Sequence, residues 1–188
     1  MAVEVTVPDP EVQARALALR FRHWDRAHSG YLELSDLKRS ARRLGAAFGR
    51  AANAPEQLAL EESCRQLWEI LARHAGVDHN GRISEDEFIA AFAEEVLADP
   101  AEFDRVYRII LENVVKTADA DGNGKLDLGE YVRLMRSWYS AGESDAVAAF
   151  AKLDHDTDGF LTLEELVRAA MEFYLGESPS LAAFPSSR

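Results

Sequence analysis

The sequence predicts an all-α protein of four helix–loop–helix units that are arranged in two pairs. A twelve-residue loop with Gly at its sixth position recurs four times in the 188 residues, and apolar residues at helical spacing lie on both sides of each copy. Such a recurrence indicates an array of one unit, and pairing is required because a single unit cannot bury its own apolar face. The copies are loop one (residues 25–36), loop two (76–87), loop three (119–130) and loop four (154–165).

The first half of the chain, residues 1–98, is predicted to hold loops one and two. Asp9 followed by Pro10 is typical of a helix start, because proline is well suited to the first helical position. The residues from Gly49 to Pro55 interrupt the periodicity and are predicted to be a connection. The apolar stripes are Ala14, Leu17, Phe21 and Trp24; Leu37, Ala41, Leu44 and Phe48; Leu60, Cys64, Leu67 and Leu71; and Phe88, Phe92 and Val96.

The second half, residues 99–188, is predicted to hold loops three and four and to end in an irregular tail after Gly176. Asp99 and Pro100 repeat the helix-start pattern, which places the boundary between the two pairs here. The stripes are Phe103, Tyr107, Ile110 and Val114; Tyr131, Leu134 and Trp138; Val147 and Phe150; and Leu163, Leu166, Ala170 and Phe173. Short antiparallel bridges are expected between paired loops, joining Leu32 to Ile83 and Leu126 to Leu161.

Composition excludes several classes of function. The net charge of −12 disfavours nucleic acid and anionic membranes as partners. Residues 1–98 carry 16 acidic and 12 basic residues and residues 99–188 carry 17 and 9, so the acidic excess is larger in the second half. One cysteine, Cys64, excludes an internal disulfide. The chain start has no secretion-signal pattern and no segment has the apolar length of a membrane span, so we expect a cytoplasmic protein.

Loops three and four carry the oxygen pattern of a calcium site. Calcium takes six to eight oxygens, and a loop of twelve residues supplies them from positions 1, 3, 5, 7, 9 and 12. The Gly at position 6 permits the sharp turn, and a Glu at position 12 can give two oxygens. In loop four, Thr162 and Glu165 also have the spacing of a capping box. The candidate ligands are Asp119, Asp121, Asn123, the carbonyl of Lys125, Asp127 and Glu130 in loop three, and Asp154, Asp156, Asp158, the carbonyl of Phe160 and Glu165 in loop four.

Loops one and two are weaker copies of the same pattern. In loop one, Ala27 removes the oxygen at position 3 and Asp36 is one methylene shorter than glutamate, so a weak or magnesium-tolerant site and a purely structural loop both stay open. Its candidate ligands are Asp25, Ser29, the carbonyl of Tyr31, Glu33 and Asp36. Loop two has Gly76 at position 1, which predicts a structural loop.

These four loops resemble those of the EF-hand superfamily, and their arrangement is similar to the sarcoplasmic calcium-binding proteins, in particular their bacterial, calerythrin-like branch. In that branch, as here, the first loop ends in Asp and the second is degenerate. The resemblance implies a compact calcium-binding protein with its halves in contact. No arrangement of catalytic residues stands outside the loops, so we do not expect an enzyme. Of the 21 basic residues only four are Lys, which favours a bacterial source.

Two functions remain open at this point, a calcium buffer and a calcium sensor that regulates a protein partner. Buffers bind tightly and change shape little, whereas sensors open a Met-rich groove. The chain has three Met and 9% aromatic residues, which favours a monomeric buffer. Two sites are expected, with a third possible and Mg²⁺ as a competitor. Arg39, Arg42, Arg43 and Arg50 form a cluster that we interpret as a solvated helix face, with a docking patch for an acidic partner as the alternative.

Overall fold

The helices of the first half begin and end where the sequence places its caps and breaks. The structure is a computed structural model that describes residues 10–77, 81–98 and 100–175. The elements up to residue 98 are α1 (Pro10–Trp24), β1 (Tyr31–Leu32), α2 (Leu34–Ala47), α3 (Pro55–His74), β2 (Ile83–Ser84) and α4 (Glu85–Glu95). Pro10 and Pro55 each open a helix, in agreement with the preference of proline for the first turn. Asp9 and Asp99, the two predicted N-caps, lie outside the described residues.

The second half repeats the arrangement with one irregularity. Its elements are α5 (Pro100–Phe103), a π-helical segment (Asp104–Arg108), α6 (Ile109–Ala118), β3 (Leu126–Asp127), α7 (Leu128–Tyr139), α8 (Glu143–Leu153), β4 (Phe160–Leu161) and α9 (Leu163–Leu175). The π-helical segment joins α5 to α6 without a gap, and it carries the fully buried Tyr107. Val147 was predicted to lie on the apolar stripe that leads into loop four. This prediction was wrong, because its side chain is 42% exposed and Ala146 and Ala149 form the buried face of α8 instead. The predicted tail after Gly176 lies outside the described residues.

The loops pair through two short antiparallel ladders. In one ladder Leu32 lies opposite Ile83, and in the other Leu126 lies opposite Leu161, so the predicted pairings are confirmed. All four of these apolar side chains are fully buried. The ladders therefore bring loop one beside loop two and loop three beside loop four, and each pair of loops sits on its own part of the apolar core.

The two halves also pack against each other. Helix α2 packs against α6 and α7, α3 packs against α6, and α1 packs against α9. Phe92 of the first half lies with its ring centroid 5.7 Å from those of both Tyr107 and Tyr174 in the second. The buried apolar residues of both halves form one continuous cluster. A division at residue 98 remains a prediction, since this core extends across it.

The connection between α2 and α3 is fixed by local chemistry. Gly49 has a positive φ of 66°, a left-handed conformation that glycine adopts without steric cost. Its N–H donates to the carbonyl of Ala46 at 3.2 Å, and the N–H of Arg50 donates to the carbonyl of Gly45 at 2.8 Å. These two bonds form a Schellman motif, which satisfies the last carbonyls of α2. The backbone of Arg50 is thereby attached firmly to the end of this helix.

Crossing a bilayer requires a helix of sufficient length and apolar character. Within the described ranges, residues 10–77, 81–98 and 100–175, no helix meets both requirements.

Candidate metal centre

Loop three folds its backbone around the carboxylate of Asp119. Its Oδ1 accepts from the N–H groups of Gly122 at 2.8 Å and Asn123 at 3.1 Å, and its Oδ2 accepts from Gly124 at 2.8 Å. Gly122 and Gly124 have positive φ angles of 77° and 82°, which turn the chain tightly enough for this arrangement. Asp121 then accepts from both the backbone and the side-chain amide of Asn123, at 3.0 and 2.9 Å. The first three predicted ligands are therefore gathered in one turn.

Glu130 closes loop three from its far end. Its Oε1 accepts from the N–H of Ala120 at 2.7 Å and its Oε2 from the N–H of Asp127 at 3.0 Å. The carboxylate of Glu130 therefore joins position 12 of the loop to position 2. The residue is largely buried, with 7% of its surface exposed. One oxygen from each of Asp119, Asp121 and Glu130 lies within 4.8 Å of the others. Asp127 accepts from the N–H of Glu130 at 2.8 Å and so caps α7 as well.

Loop four has the same construction. Asp154 accepts from the N–H groups of Asp158 at 3.1 Å and Gly159 at 3.0 Å. Glu165 accepts from the N–H of His155 at 3.2 Å and from that of Thr162 at 2.8 Å, so it also closes its loop. The converging ligand atoms here come from Asp154, Asp156 and Asp158, which lie within 4.8 Å of one another. The predicted capping box of Thr162 and Glu165 is confirmed by bonds in both directions.

One lysine links the two loops. The Nζ of Lys125 lies 2.7 Å from Oδ2 of Asp158 and 5.5 Å from the centroid of the Phe160 ring. This ion pair lowers the pKa of Asp158, with a smaller contribution from the N–H of Phe160, so the carboxyl stays charged at neutral pH. From the sequence, Lys125 and Phe160 were predicted to contribute only their carbonyl oxygens to the ion. The contact between their side chains depends on the ladder that joins the two loops, and no local pattern in the sequence indicates it.

Loop one begins like loop three but does not close in the same way. Asp25 accepts from the N–H groups of Ser29 at 2.9 Å and Gly30 at 2.8 Å. The hydroxyl of Ser29 donates to the carbonyl of Tyr31 at 2.9 Å. At the other end, Asp36 accepts from the N–H of Glu33 at 2.9 Å. The five predicted residues therefore lie in one loop, but their carboxylates do not meet as those of loop three do.

Two arginines also compete for the carboxylates of loop one. Arg39 lies 3.0 Å from Oδ1 of Asp36, and Arg82 lies 2.7 Å from Oε1 of Glu33.

Loop two is described only in part, because residues 78–80 lie outside the described residues. Within the described part, Glu87 accepts from the N–H and the hydroxyl of Ser84, both at 2.8 Å.

Loops three and four offer a donor set that suits a hard divalent cation. Carboxylate oxygens converge from several positions, and each loop includes a buried glutamate at position 12. Calcium prefers oxygen ligands of this type in a flexible cage of six to eight. The side chain of Lys125, which pairs with Asp158, is 41% exposed, so an incoming cation can displace it at little cost. The residues present therefore fit Ca²⁺ as the bound group in both loops.

Comparison with known proteins identifies the family. A sequence model of the EF-hand domain pair matches residues 15–93, and a model of the EF hand matches residues 116–135 and 146–171. The chain is 30% identical over 165 residues to calerythrin from Saccharopolyspora erythraea, which covers 85% of this chain and 90% of calerythrin. The chain belongs to the EF-hand family. It is a calcium-binding protein of that family, which confirms the resemblance seen in the sequence.

Two further EF-hand proteins are similar over most of their length. The sarcoplasmic calcium-binding protein of Penaeus sp. (alpha-B and -A chains) is 27% identical over 167 residues, which cover 85% of this chain and 86% of that protein. A solved structure of a Streptomyces coelicolor calcium-binding protein, described as the basis of prokaryotic calcium-mediated regulation, shares 30% identity with a TM-score of 0.73. It covers 88% of this chain and 98% of its own. These matches confirm the predicted all-α EF-hand fold.

Proposed function

We propose that this EF-hand protein is a calcium buffer in which loops three and four each bind one Ca²⁺. In loop three the ion would be held by one carbonyl, that of Lys125, and by the side chains of Asp119, Asp121, Asn123, Asp127 and Glu130. The observation that carries this assignment is the closure of the loop, in which Glu130 reaches the N–H of Ala120 at 2.7 Å while its carboxylate approaches those of Asp119 and Asp121.

In loop four the proposed ligands are Asp154, Asp156, Asp158, Glu165 and the carbonyl of Phe160. A bound cation would relieve the mutual repulsion of these carboxylates. Loop one is proposed as a weaker third position, because Asp36 and Glu33 already have arginine partners at 3.0 and 2.7 Å. Mg²⁺ would compete there, since a small number of carboxylates completed by water suits magnesium.

The packing of the two halves supports a buffer rather than a sensor. A sensor must expose an apolar groove when calcium binds. Here the apolar helix faces are covered by the other half, and Met135 is 1% exposed. Among the described residues, the large apolar side chains that reach the surface each lie on a different element: Tyr31, Leu58, Ile109, Leu128 and Val147. This scatter favours a monomer that takes up calcium with little change of shape.

A sensor is the second candidate, and the similarity to the Streptomyces coelicolor protein favours it. That protein is described in terms of calcium-mediated regulation. If this chain acts in the same way, its two halves must separate enough to uncover apolar surface. We propose the cytoplasm as the site of action for either role. Two relatives that match most of this chain, from Penaeus sp. and Streptomyces coelicolor, are calcium-binding proteins by name, which supports a role that is not enzymatic.

Two measurements test this proposal. Calorimetric titration with Ca²⁺ in the presence of Mg²⁺ should count two tight ions per chain, and one ion in each of the variants Glu130→Gln and Glu165→Gln. Undiminished stoichiometry in both variants would contradict the ligand assignment. Fluorescence of an apolar dye then separates the roles. A buffer should bind the dye equally or less with calcium, whereas a large calcium-dependent increase would favour the sensor.

A further inference from the structure

Two arginines of the first half contact the helices on either side of loop three. Nε of Arg50 donates to the carbonyl of Thr117 at 3.1 Å, and its Nη2 donates to that of Asp119 at 2.6 Å. Nε of Arg43 donates to the carbonyl of Ser137 at 2.9 Å. Thr117 lies in the last turn of α6, Asp119 is the first residue of loop three, and Ser137 lies in the last turn of α7. We refer to Arg43 and Arg50 as the arginine clamp.

The carbonyls held by the clamp belong to helix ends. The last four carbonyls of a helix have no partner within it, and they carry partial negative charge. A guanidinium group satisfies several of them at once, because its donors form a rigid fork. Nη2 of Arg50 also lies 3.4 Å from the carbonyl of Lys116, so one side chain covers most of the end of α6. The expectation of a solvated face was wrong for these two arginines, which are half-buried.

The clamp is attached rigidly to loop one through α2. This helix begins directly after Glu33, in the last part of loop one, and it ends in the Schellman motif that fixes Arg50. It has 14 residues. At the rise of an α-helix this length corresponds to a rod of about 21 Å. Arg43 lies on the same helix and is held by the hydroxyl of Ser40 at 3.0 Å. A single element therefore joins the end of loop one to the start of loop three.

We propose that the arginine clamp sets the calcium affinity of loop three, with Arg50 as a positioning residue, and that it couples this loop to the first half of the molecule. The proposal rests on calcium binding at loop three, as proposed above. Arg50 holds the carbonyl of Asp119, whose side chain is the first ligand and accepts three backbone N–H groups. Fixing this residue in the calcium-free protein reduces the ordering that binding requires.

Electrostatic repulsion by Arg50 would have the opposite effect on calcium affinity and must be separated from positioning. Arg50 carries a positive charge close to a cation site, and repulsion alone would weaken calcium binding. A lysine at position 50 keeps the positive charge but lacks the forked donors of the guanidinium group, and a glutamine lacks both. Under our proposal Arg50→Lys and Arg50→Gln both weaken binding at loop three. Under repulsion alone, Arg50→Lys would bind as the parent does and Arg50→Gln would bind more tightly.

The test measures loop three alone, in a Glu165→Gln background that disables loop four. We expect Arg50→Lys to lower the calcium affinity about tenfold, within the range typical of couplings between sites. Arg42→Lys is the matched control, since Arg42 pairs with Glu61 inside the first half at 3.0 Å. An unchanged affinity in Arg50→Lys, or a tighter one in Arg50→Gln, overturns the proposal. If the Glu165→Gln parent itself binds no calcium, the proposed function fails instead.

Two readouts distinguish positioning from general destabilisation. In a Glu130→Gln background, which disables loop three, Arg50→Lys should leave the affinity of loop four unchanged within about twofold. In the parent, calcium should slow the amide exchange of Gly49 and Arg50, whose N–H groups bond to α2, because coupling between sites is reciprocal. This effect should be lost in Arg50→Lys. An equal weakening of both loops, or calcium-independent exchange in the parent, would overturn the proposal.

Discussion

Loop three and loop one both fold their amides around an aspartate at position 1, but they end on side chains of different length. Glu130 reaches from position 12 to the N–H of Ala120 at 2.7 Å. Asp36 reaches only the N–H of Glu33 at 2.9 Å, and its other oxygen pairs with Arg39. Asp36 is one methylene shorter than Glu130, and its carboxylate does not approach the one at the start of its loop. Closure of the loop is therefore one difference between a candidate metal site and a loop whose carboxylates stay apart.

The largest expected difference between the pairs is their response to calcium. Each occupied site adds about 2.7 kcal/mol of stability when free calcium is 100 times its dissociation constant, so two sites add about 5 kcal/mol. For a chain of this length we expect EDTA to lower the Tm by about 10–20 °C. Calorimetry measures the shift. Amide exchange should show the Leu126–Leu161 ladder opening before the Leu32–Ile83 ladder, and an unchanged Tm would contradict both proposed sites.

Lowering the pH should destabilise the protein through His23 in the first half, whereas removal of calcium should destabilise the second half. Burial of His23, followed by the nearby charges of Arg20 and Arg26, lowers its pKa from 6.5 to about 4. The folded state therefore holds the neutral ring, which lies 5.3 Å from that of Tyr139 across the two halves. This contribution is complete above pH 6.5 and is lost as the pH falls towards 4, by an amount on the order of 3 kcal/mol.

Urea unfolding in EDTA at pH 4.5 and pH 7 measures this loss without interference from calcium. The variant His23→Phe keeps an aromatic ring against Tyr139 but cannot be protonated, so its stability should fall less between the two pH values. His28→Asn is the control, because His28 is exposed and its positive φ is one that asparagine tolerates. An identical pH dependence in His23→Phe and the parent would show that His23 is not the responsible group.

A direct comparison of equivalent glutamates tests the importance of closure. Glu130→Gln should weaken calcium binding at loop three about 100-fold, or about 2.7 kcal/mol, because it removes both a charge and a bidentate ligand. Glu87→Gln, at the same position of loop two, should have no effect on the tight sites, since Glu87 bonds only to Ser84 among the described residues. Calorimetric titration compares them. Equal losses in the two variants would mean that loop two also binds calcium.

The sequence was informative wherever local chemistry decides the structure. The helix starts at Pro10 and Pro100 and the break at Gly49 follow from residues close together in the chain, and the two ladder pairings follow from the repetition of the loop pattern. The candidate ligand positions of loops three and four stood out because the spacing in such a loop is fixed by the size of the ion, and their binding of Ca²⁺ stays a prediction.

Other contacts could not be predicted because they join distant segments. The pairing of Lys125 with Asp158 requires the ladder, and the carbonyls held by Arg43 and Arg50 require the packing of α2 onto α6 and α7. In sequence these arginines belong to a basic cluster that is indistinguishable from a solvated helix face. Arg42 of the same cluster does pair at the exposed surface with Glu61, so one pattern covers two different structural roles.

Restoring the calcium-ligand pattern of loop one should change calcium binding less than the variants above. The double variant Ala27→Asp/Asp36→Glu restores the oxygen at position 3 and gives position 12 a side chain as long as that of Glu130. We expect calcium binding at loop one to tighten by at least about tenfold, so that titration counts three ions per chain instead of two. Each single variant should show a smaller gain, because a closed loop needs both ends. A folded double variant that still binds two ions would show that Arg39 and Arg82, rather than the missing methylene, keep this loop from binding calcium.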